Sequence, residues 1–117
     1  MIHLKRAYDK PEKGDGRRFL VDRLWPRGVK KEDLALDEWY KEVAPSDDLR
    51  HWFGHDPEKW TDFQKRYRKE LEAKPESWQP LVTAVANGDI TLIYAAHDTE
   101  HNNAVALKAY LEEKHPL

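Results

Sequence analysis

The stretch FLVDRLWPRG, residues 19–28, organises the rest of this chain. It opens with a short apolar run, Phe19 to Val21, and ends at Pro26 and Gly28. An aromatic and β-branched run of this length, bounded by turn-forming residues, predicts a buried strand. Charged side chains and an indole follow the run, and ligands of open α/β sheets bind at the carboxyl ends of strands. The stretch therefore predicts one half of a polar site.

A second apolar run, ITLIYAA at 90–96, has the composition of a strand that is covered on both faces. The polar segment HDTEHNN, 97–103, follows it, and a last helix is predicted from about Asn103. If strands at 19–24 and 90–96 are parallel neighbours, the polar residues at their ends form a single site. That juxtaposition is the central structural expectation.

The two strand ends supply candidates for chemistry and for binding. Asp22 and Asp98 are candidate catalytic bases, or acceptors for a ribose hydroxyl, and His101 is a candidate proton carrier near neutral pH. The candidate ligand-binding residues offer positive charge, an amide or an aromatic face, and they are Arg23, Trp25, Arg27, Lys30, Asn102 and Asn103. Arginine forks and the amino end of the last helix both favour an anion, and Trp25 suits a base or sugar. A small anionic molecule, nucleotide-like or phosphorylated, is the predicted partner.

Each of these residues also has a purely structural interpretation. Asp22 and Arg23 could form a buried ion pair, and an Asn before a helix often serves as its cap. The density of the cluster favours a ligand site.

Composition excludes several classes of protein. The 117 residues fit one domain, and five Trp, five Tyr and three Phe supply enough apolar area for a fold despite 36% charged residues. The net charge of -2 does not predict general attraction to nucleic acid. There is no Cys, which excludes disulfides and thiol chemistry. The charged amino terminus and the lack of a long apolar run predict a cytoplasmic protein without a membrane partner.

Further elements follow from local signals. Residues 2–8 alternate as in a half-exposed strand, and 36–43 weakly favour a short strand. Ser46 and Gly54 delimit a short helix, and Asp56-Pro57 begins the most regular one.

A further helix is predicted from Pro75, with Pro80 near its first turn and an αL cap at Asn87-Gly88. The order of elements predicts an α/β fold: a single small domain with three to four mostly parallel strands flanked by four to five helices.

Two histidine pairs have the i, i+4 spacing of metal ligands, His51 with His55 and His97 with His101. Gly54 breaks the first pair, and the second lies in a predicted loop, so no metal site is predicted. No cofactor is predicted either.

The segments GDGRRFLVDRLWPRGVKKEDL (14–34), WYKEVAPSDDLRHWFGHDPEKWTDFQKRYRKEL (39–71) and TLIYAAHDTEHNNAVALKAYL (91–111) resemble the YeaO-like branch of the bacterial family called domain of unknown function 488. The resemblance implies a small cytoplasmic α/β protein without an established reaction. The wider family usually carries a Cys-His-Arg triplet after the last strand, where this chain has EHNNA (100–104). That departure removes thiol chemistry and weakens the case for an enzyme. The family's arginine-bearing motif is present as VDRLWPRG, which implies a ligand role for Asp22, Arg23, Pro26 and Arg27.

Two functional hypotheses follow. The first is an anion-binding site with hydrolase or transferase activity as an option. The second is a non-catalytic module for nucleic acid or protein, using the basic residues Arg17, Arg18, Arg27, Lys30 and Lys31.

Overall fold

Four strands within residues 1–115, the part of the chain that this computed structural model describes, form one parallel sheet. They are β1 (Ile2–Arg6), β2 (Arg17–Leu20), β3 (Glu38–Trp39) and β4 (Ile90–Tyr94), in the order β1-β4-β2-β3. Leu92 of β4 is in register with Leu4 of β1 and with Phe19 of β2. The two apolar runs are therefore the central strands and parallel neighbours.

Both central strands end earlier than predicted, and β2 also begins two residues earlier, at Arg17 and not at Phe19. β2 ends at Leu20 and β4 ends at Tyr94, although the Val21 amide still donates to the carbonyl of Ile93 at 3.1 Å. Beyond that point the Asp22 side chain, and not a main-chain carbonyl, accepts from the next amide of the β4 segment. The ladder therefore stops where the polar residues begin.

The weakly predicted strand at 36–43 exists only as the two residues of β3. The amide of Tyr40 donates to the carbonyl of Leu20 at 2.9 Å, after which a 3-10 helix (Lys41–Val43) takes over. Ala44, before Pro45, is extended as predicted.

Five helices within residues 1–115 complete the fold: α1 (Lys31–Leu34), α2 (Asp47–Phe53), α3 (Trp60–Ala73), α4 (Pro75–Ala86) and α5 (Asn103–Lys114). The sequence interpretation had no counterpart for α1. The predicted limits of α2 are confirmed, since the Ser46 hydroxyl accepts from the Leu49 amide and Gly54 is left-handed. Asp56 and Pro57 begin a 3-10 turn (Pro57–Lys59) that leads into α3. The predicted α/β class is confirmed.

Two details of α4 differ from the prediction. Pro80 lies in the second turn and not in the first. Its ring is exposed in the second turn, and only one helical hydrogen bond is lost there. The predicted αL cap is wrong: Asn87 has φ -104° and Gly88 has φ 147°. The chain extends directly from this point into β4.

The sheet packs differently on its two faces. Phe19 and Leu92 join the main core with the helices. Leu20 and Ile93 point the other way, into a smaller cluster with Leu34, which Trp25 and Trp39 cover. Within residues 1–115 no helix is both long and apolar enough to cross a bilayer.

Candidate functional site

A cavity of about 610 Å³ lies beyond the carboxyl ends of β2 and β4. Its walls come from the segments that leave these two strands, from the chain around Pro45, and from α2, α3 and the start of α5. We call it the strand-end cavity. It is lined by Tyr8, Asp22, Arg23, Leu24, Trp25, Pro26, Arg27, Ala44, Pro45, Arg50, Phe53, His55, Phe63, Ala95, Ala96, His97, Asp98, Asn102 and Asn103.

The structure brings most of the predicted site residues to this one cavity. Those on its wall are Asp22, Arg23, Trp25, Arg27, Asp98, Asn102 and Asn103. Lys30 and His101 are not lining residues. Lys30 is exposed at the start of α1, and the His101 ring meets the edge of Trp60 at 5.3 Å between centroids.

Asp22 joins three elements at the floor of the cavity. Its Oδ2 accepts from the Ala95 amide at 2.9 Å, and its Oδ1 accepts from Nδ2 of Asn103 at 3.0 Å. The same Asn103 nitrogen donates to the carbonyl of Val21 at 3.1 Å. Burial raises the pKa of Asp22, and the hydrogen bonds from Asn103 and Ala95 partly oppose the rise. The carboxylate is thus held in one orientation and is partly removed from solvent.

Two arginines line the cavity with unused donors. Arg23 donates from Nη2 to the carbonyl of Ala44 at 3.4 Å, and Arg50 donates from Nη2 to Asp47 at 3.0 Å. The Nε atoms of Arg23 and Arg50 are buried, and neither has a hydrogen-bond partner among residues 1–115. Charged donors without partners are costly when they are removed from water.

Arg50 was not among the predicted site residues. It is next to Leu49 and three residues before Phe53, which are the buried residues of α2. On a helical wheel it therefore borders the inner face. This position at the edge of the buried face was the only sequence signal for Arg50. The sequence of a short helix does not indicate which part of the fold such an edge residue will contact.

Trp25 and Arg27 line the cavity and also make local contacts. The indole nitrogen of Trp25 donates to the carbonyl of Val29 at 2.7 Å, and its ring meets Trp39 edge-on at 5.4 Å. Arg27 is exposed at the rim, where its carbonyl accepts from the Tyr8 hydroxyl at 3.1 Å. Trp25 contributes an apolar wall while it also covers the sheet.

Asp98 and Asn102 organise the loop before α5. Oδ1 of Asp98 accepts from the amides of Glu100 and His101, and Oδ2 lies 2.9 Å from Nδ1 of His101. The Glu100 amide and the His101 ring, in that order, hold the pKa of Asp98 below its usual value. Asn102 caps α5 through the Val105 amide at 3.0 Å. Both oxygens of Asp98 are thus used within its own turn.

His55 is a second lining residue that the sequence interpretation did not select for the site. It has φ 59°, directly after the left-handed Gly54. A non-glycine residue in this region is uncommon and is often found where function requires it. Among residues 1–115 no three His, Asp or Glu side chains form a group able to hold a metal ion.

Fold and cavity together define a small parallel α/β protein with a cavity at its strand ends, in which arginine and aspartate side chains stand among largely apolar walls. The chain belongs to the DUF488 family: residues 1–116 match the model DUF488-N3i, described as "Inactive DUF488-N3 subclade". The predicted YeaO-like membership is confirmed by "Uncharacterized protein YeaO" of Escherichia coli K12, which is 44% identical over 110 residues, or 94% of this chain and 96% of that protein.

Mycobacterial relatives match a shorter part of the chain. Uncharacterized proteins of Mycobacterium tuberculosis H37Rv and Mycobacterium bovis are each 44% identical over 70 residues, covering 60% of this chain and 59% of theirs. No solved structure gave a significant match.

Proposed function

We propose that this protein binds a small anionic molecule in the strand-end cavity and does not transform it. The observation that carries this proposal is that Arg23 and Arg50 both line the strand-end cavity. Neither Nε atom has a hydrogen-bond partner within residues 1–115. Two guanidinium groups on one cavity wall would attract an anion.

Arginine suits this role better than lysine. Its guanidinium is planar, remains charged, and matches the geometry of carboxylate and phosphate oxygens. Asp47 contacts both side chains from the outer side, with its Oδ1 at 3.9 Å from Nε of Arg23 and 3.0 Å from Nη2 of Arg50. Asp47 is exposed, so solvent weakens both of these ion pairs.

Binding without catalysis fits the remaining polar groups. Asp98 uses both oxygens within its turn, and His101 is not on the cavity wall. The chain has no Cys to act as a nucleophile, and the matching family model carries the description "Inactive". These observations favour a binding protein over a hydrolase or a transferase.

The size and the walls of the cavity limit the ligand. A volume near 610 Å³ lies within the roughly 300–1,000 Å³ of small-molecule sites. Phe53, Phe63 and Trp25 supply apolar walls. The ligand that fits has an anionic end and a flat or apolar part, as in nucleotide-like or phosphorylated small molecules.

One of the five basic residues of the alternative binding module, Arg18, is not available to a partner. Arg18 is 5% exposed, and it pairs with buried Asp15 and donates to the carbonyl of Leu34. Arg17, by contrast, lies over the Phe19 ring at 5.1 Å. The adjacent residues Arg17 and Arg18 therefore do not belong to one basic surface, which weakens this alternative.

Thermal unfolding with a panel of anions tests the proposal. The panel is inorganic phosphate, benzoate, glycerol 3-phosphate and adenosine 5'-monophosphate. A ligand at a hundred times its Kd is expected to stabilise the wild type by about 2.7 kcal/mol. Arg23→Gln and Arg50→Gln should lose this shift. Arg17→Gln, at the opposite end of β2, should keep it.

Two results would overturn the proposal. One is the absence of a shift with every anion of the panel. The other is an equal shift in the wild type and in both cavity variants.

A further inference from the structure

We propose that the strand-end cavity selects hydroxylated anions, the class of polyol phosphates and nucleoside monophosphates, with Asp22 accepting a hydroxyl of the ligand. This inference rests on the anion-binding function proposed above and adds the chemical class of the ligand. It depends on the acceptors and donors that share one cavity wall.

Asp22 is the acceptor with unused capacity. An ionised carboxylate offers about four lone-pair sites, and two are used, by the Ala95 amide at 2.9 Å and by Nδ2 of Asn103 at 3.0 Å. The other carboxylate on the wall, Asp98, serves three donors of its own turn. A ligand that enters the cavity therefore meets a carboxylate able to accept further hydrogen bonds.

The charges around Asp22 explain why a hydroxyl is needed. Arg50 and His55 lie close enough to favour the charged form of Asp22, and burial disfavours it. An anion held by the arginines adds a second negative charge to the same cavity. A hydroxyl directed at Asp22 replaces part of that repulsion with a charge-assisted hydrogen bond.

Asp22 is also held rigidly. The Asn103 nitrogen that donates to Asp22 donates to the Val21 carbonyl as well, at 3.1 Å. The carboxylate cannot rotate away from a ligand without breaking these contacts. A fixed and partly desolvated acceptor penalises a ligand that brings no donor, which is how polar sites reject analogues lacking a hydroxyl.

Calorimetric titration at neutral pH with two matched pairs of ligands tests this inference. The pairs are glycerol 3-phosphate with n-propyl phosphate, and adenosine 5'-monophosphate with its 2',3'-dideoxy analogue. In the wild type the hydroxylated member of at least one pair should bind about tenfold tighter or more, as for one hydrogen bond to a charged acceptor. The pair that discriminates identifies the source of the hydroxyl. In Asp22→Asn the ratio should fall below about threefold.

The outcomes separate this inference from the proposed function. Equal affinities within both pairs would overturn the proposed selectivity but not the anion site. Binding of only phosphate or benzoate would have the same two consequences. A ratio that Asp22→Asn retains would show that another group reads the hydroxyl, and would overturn the role of Asp22. If no anion binds, both proposals fail. Should Asp22→Asn lose its circular dichroism, the wild-type ratios alone decide.

Discussion

Asn103→Ala is expected to destabilise the protein by about 2–3 kcal/mol, because one side chain holds the floor of the cavity together. Its Nδ2 donates to Asp22 at 3.0 Å and to the Val21 carbonyl at 3.1 Å. A bond to a charged acceptor contributes about 1.5–3 kcal/mol and a neutral one about 0.5–1.5 kcal/mol. The expected loss is below the upper sum, since Asn103 is half-buried and alanine is the better helix former.

Urea denaturation followed by tryptophan fluorescence measures this loss, and the five Trp provide the signal. In a domain of this length, a loss of 1 kcal/mol in the free energy of unfolding lowers the melting temperature by roughly 4 °C. The melting temperature of Asn103→Ala should therefore fall by about 8–12 °C. Asn87→Ala is the matched control. Its Nδ2 also donates to a main-chain carbonyl, that of Thr83 at 2.8 Å, but the residue is exposed. We expect it to change stability by less than about 0.5 kcal/mol.

A loss in Asn103→Ala no larger than that of the control would refute this reasoning. A double-mutant cycle with Asp22→Ala gives an independent check. Residues in direct contact are expected to show a coupling energy of about 0.5–3 kcal/mol. Additive effects would mean that the bond between Asn103 and Asp22 contributes nothing in solution.

Three further predictions concern the core, a close contact and pH. Tyr67→Phe should cost about 1–3 kcal/mol in urea denaturation, since Tyr67 is 1% exposed and its hydroxyl donates to a main-chain carbonyl at 2.5 Å; an unchanged midpoint would contradict this. Gly16→Ala should cost about 2–4 kcal/mol, because Gly16 has φ 63° and an added Cβ would lie 2.1 Å from the carbonyl oxygen of Asp89. Gly14 has open space around it, so Gly14→Ala should be nearly neutral in the same assay. Equal losses in the two variants would refute the importance of this contact. Burial raises the pKa of Asp22 above the value of 3.8 that applies to the unfolded chain, so the folded state binds this proton more tightly. The contribution of Asp22 to stability therefore increases as the pH falls from above the folded pKa towards 3.8. Denaturation from about pH 7 to about pH 4 should therefore show Asp22→Asn losing stability relative to the wild type on acidification, and parallel curves would contradict the raised pKa.

Much of the fold could be predicted because its signals are local. Aromatic and β-branched residues mark the apolar runs that contribute to β2 and β4. Ser46 and Gly54 mark the ends of α2 through hydrogen bonding and backbone geometry that need only a few neighbouring residues. α1 was missed because its four residues carry no periodic apolar pattern.

The site was predicted in part for the same reason. Asp22 and Arg23 follow β2, and Asn102 and Asn103 begin α5, so neighbouring parallel strands bring them to one edge. Arg50 and His55 could not be placed in this way. Their positions depend on how α2 packs against α3. In this contact the ring of Phe53 stacks on the ring of Phe63, with 4.3 Å between the ring centroids.

By itself, the sequence determined the α/β class, the two central strands and the acidic, basic and amide groups at their ends, since composition and short-range periodicity encode these features. Only the tertiary structure decided which charges share a cavity. It left the Nε atoms of Arg23 and Arg50 without partners among residues 1–115, and it used Asp98 and Trp25 in local contacts. The physical reason is that hydrogen-bond satisfaction is a property of the packed surroundings, to which residues distant in the chain contribute.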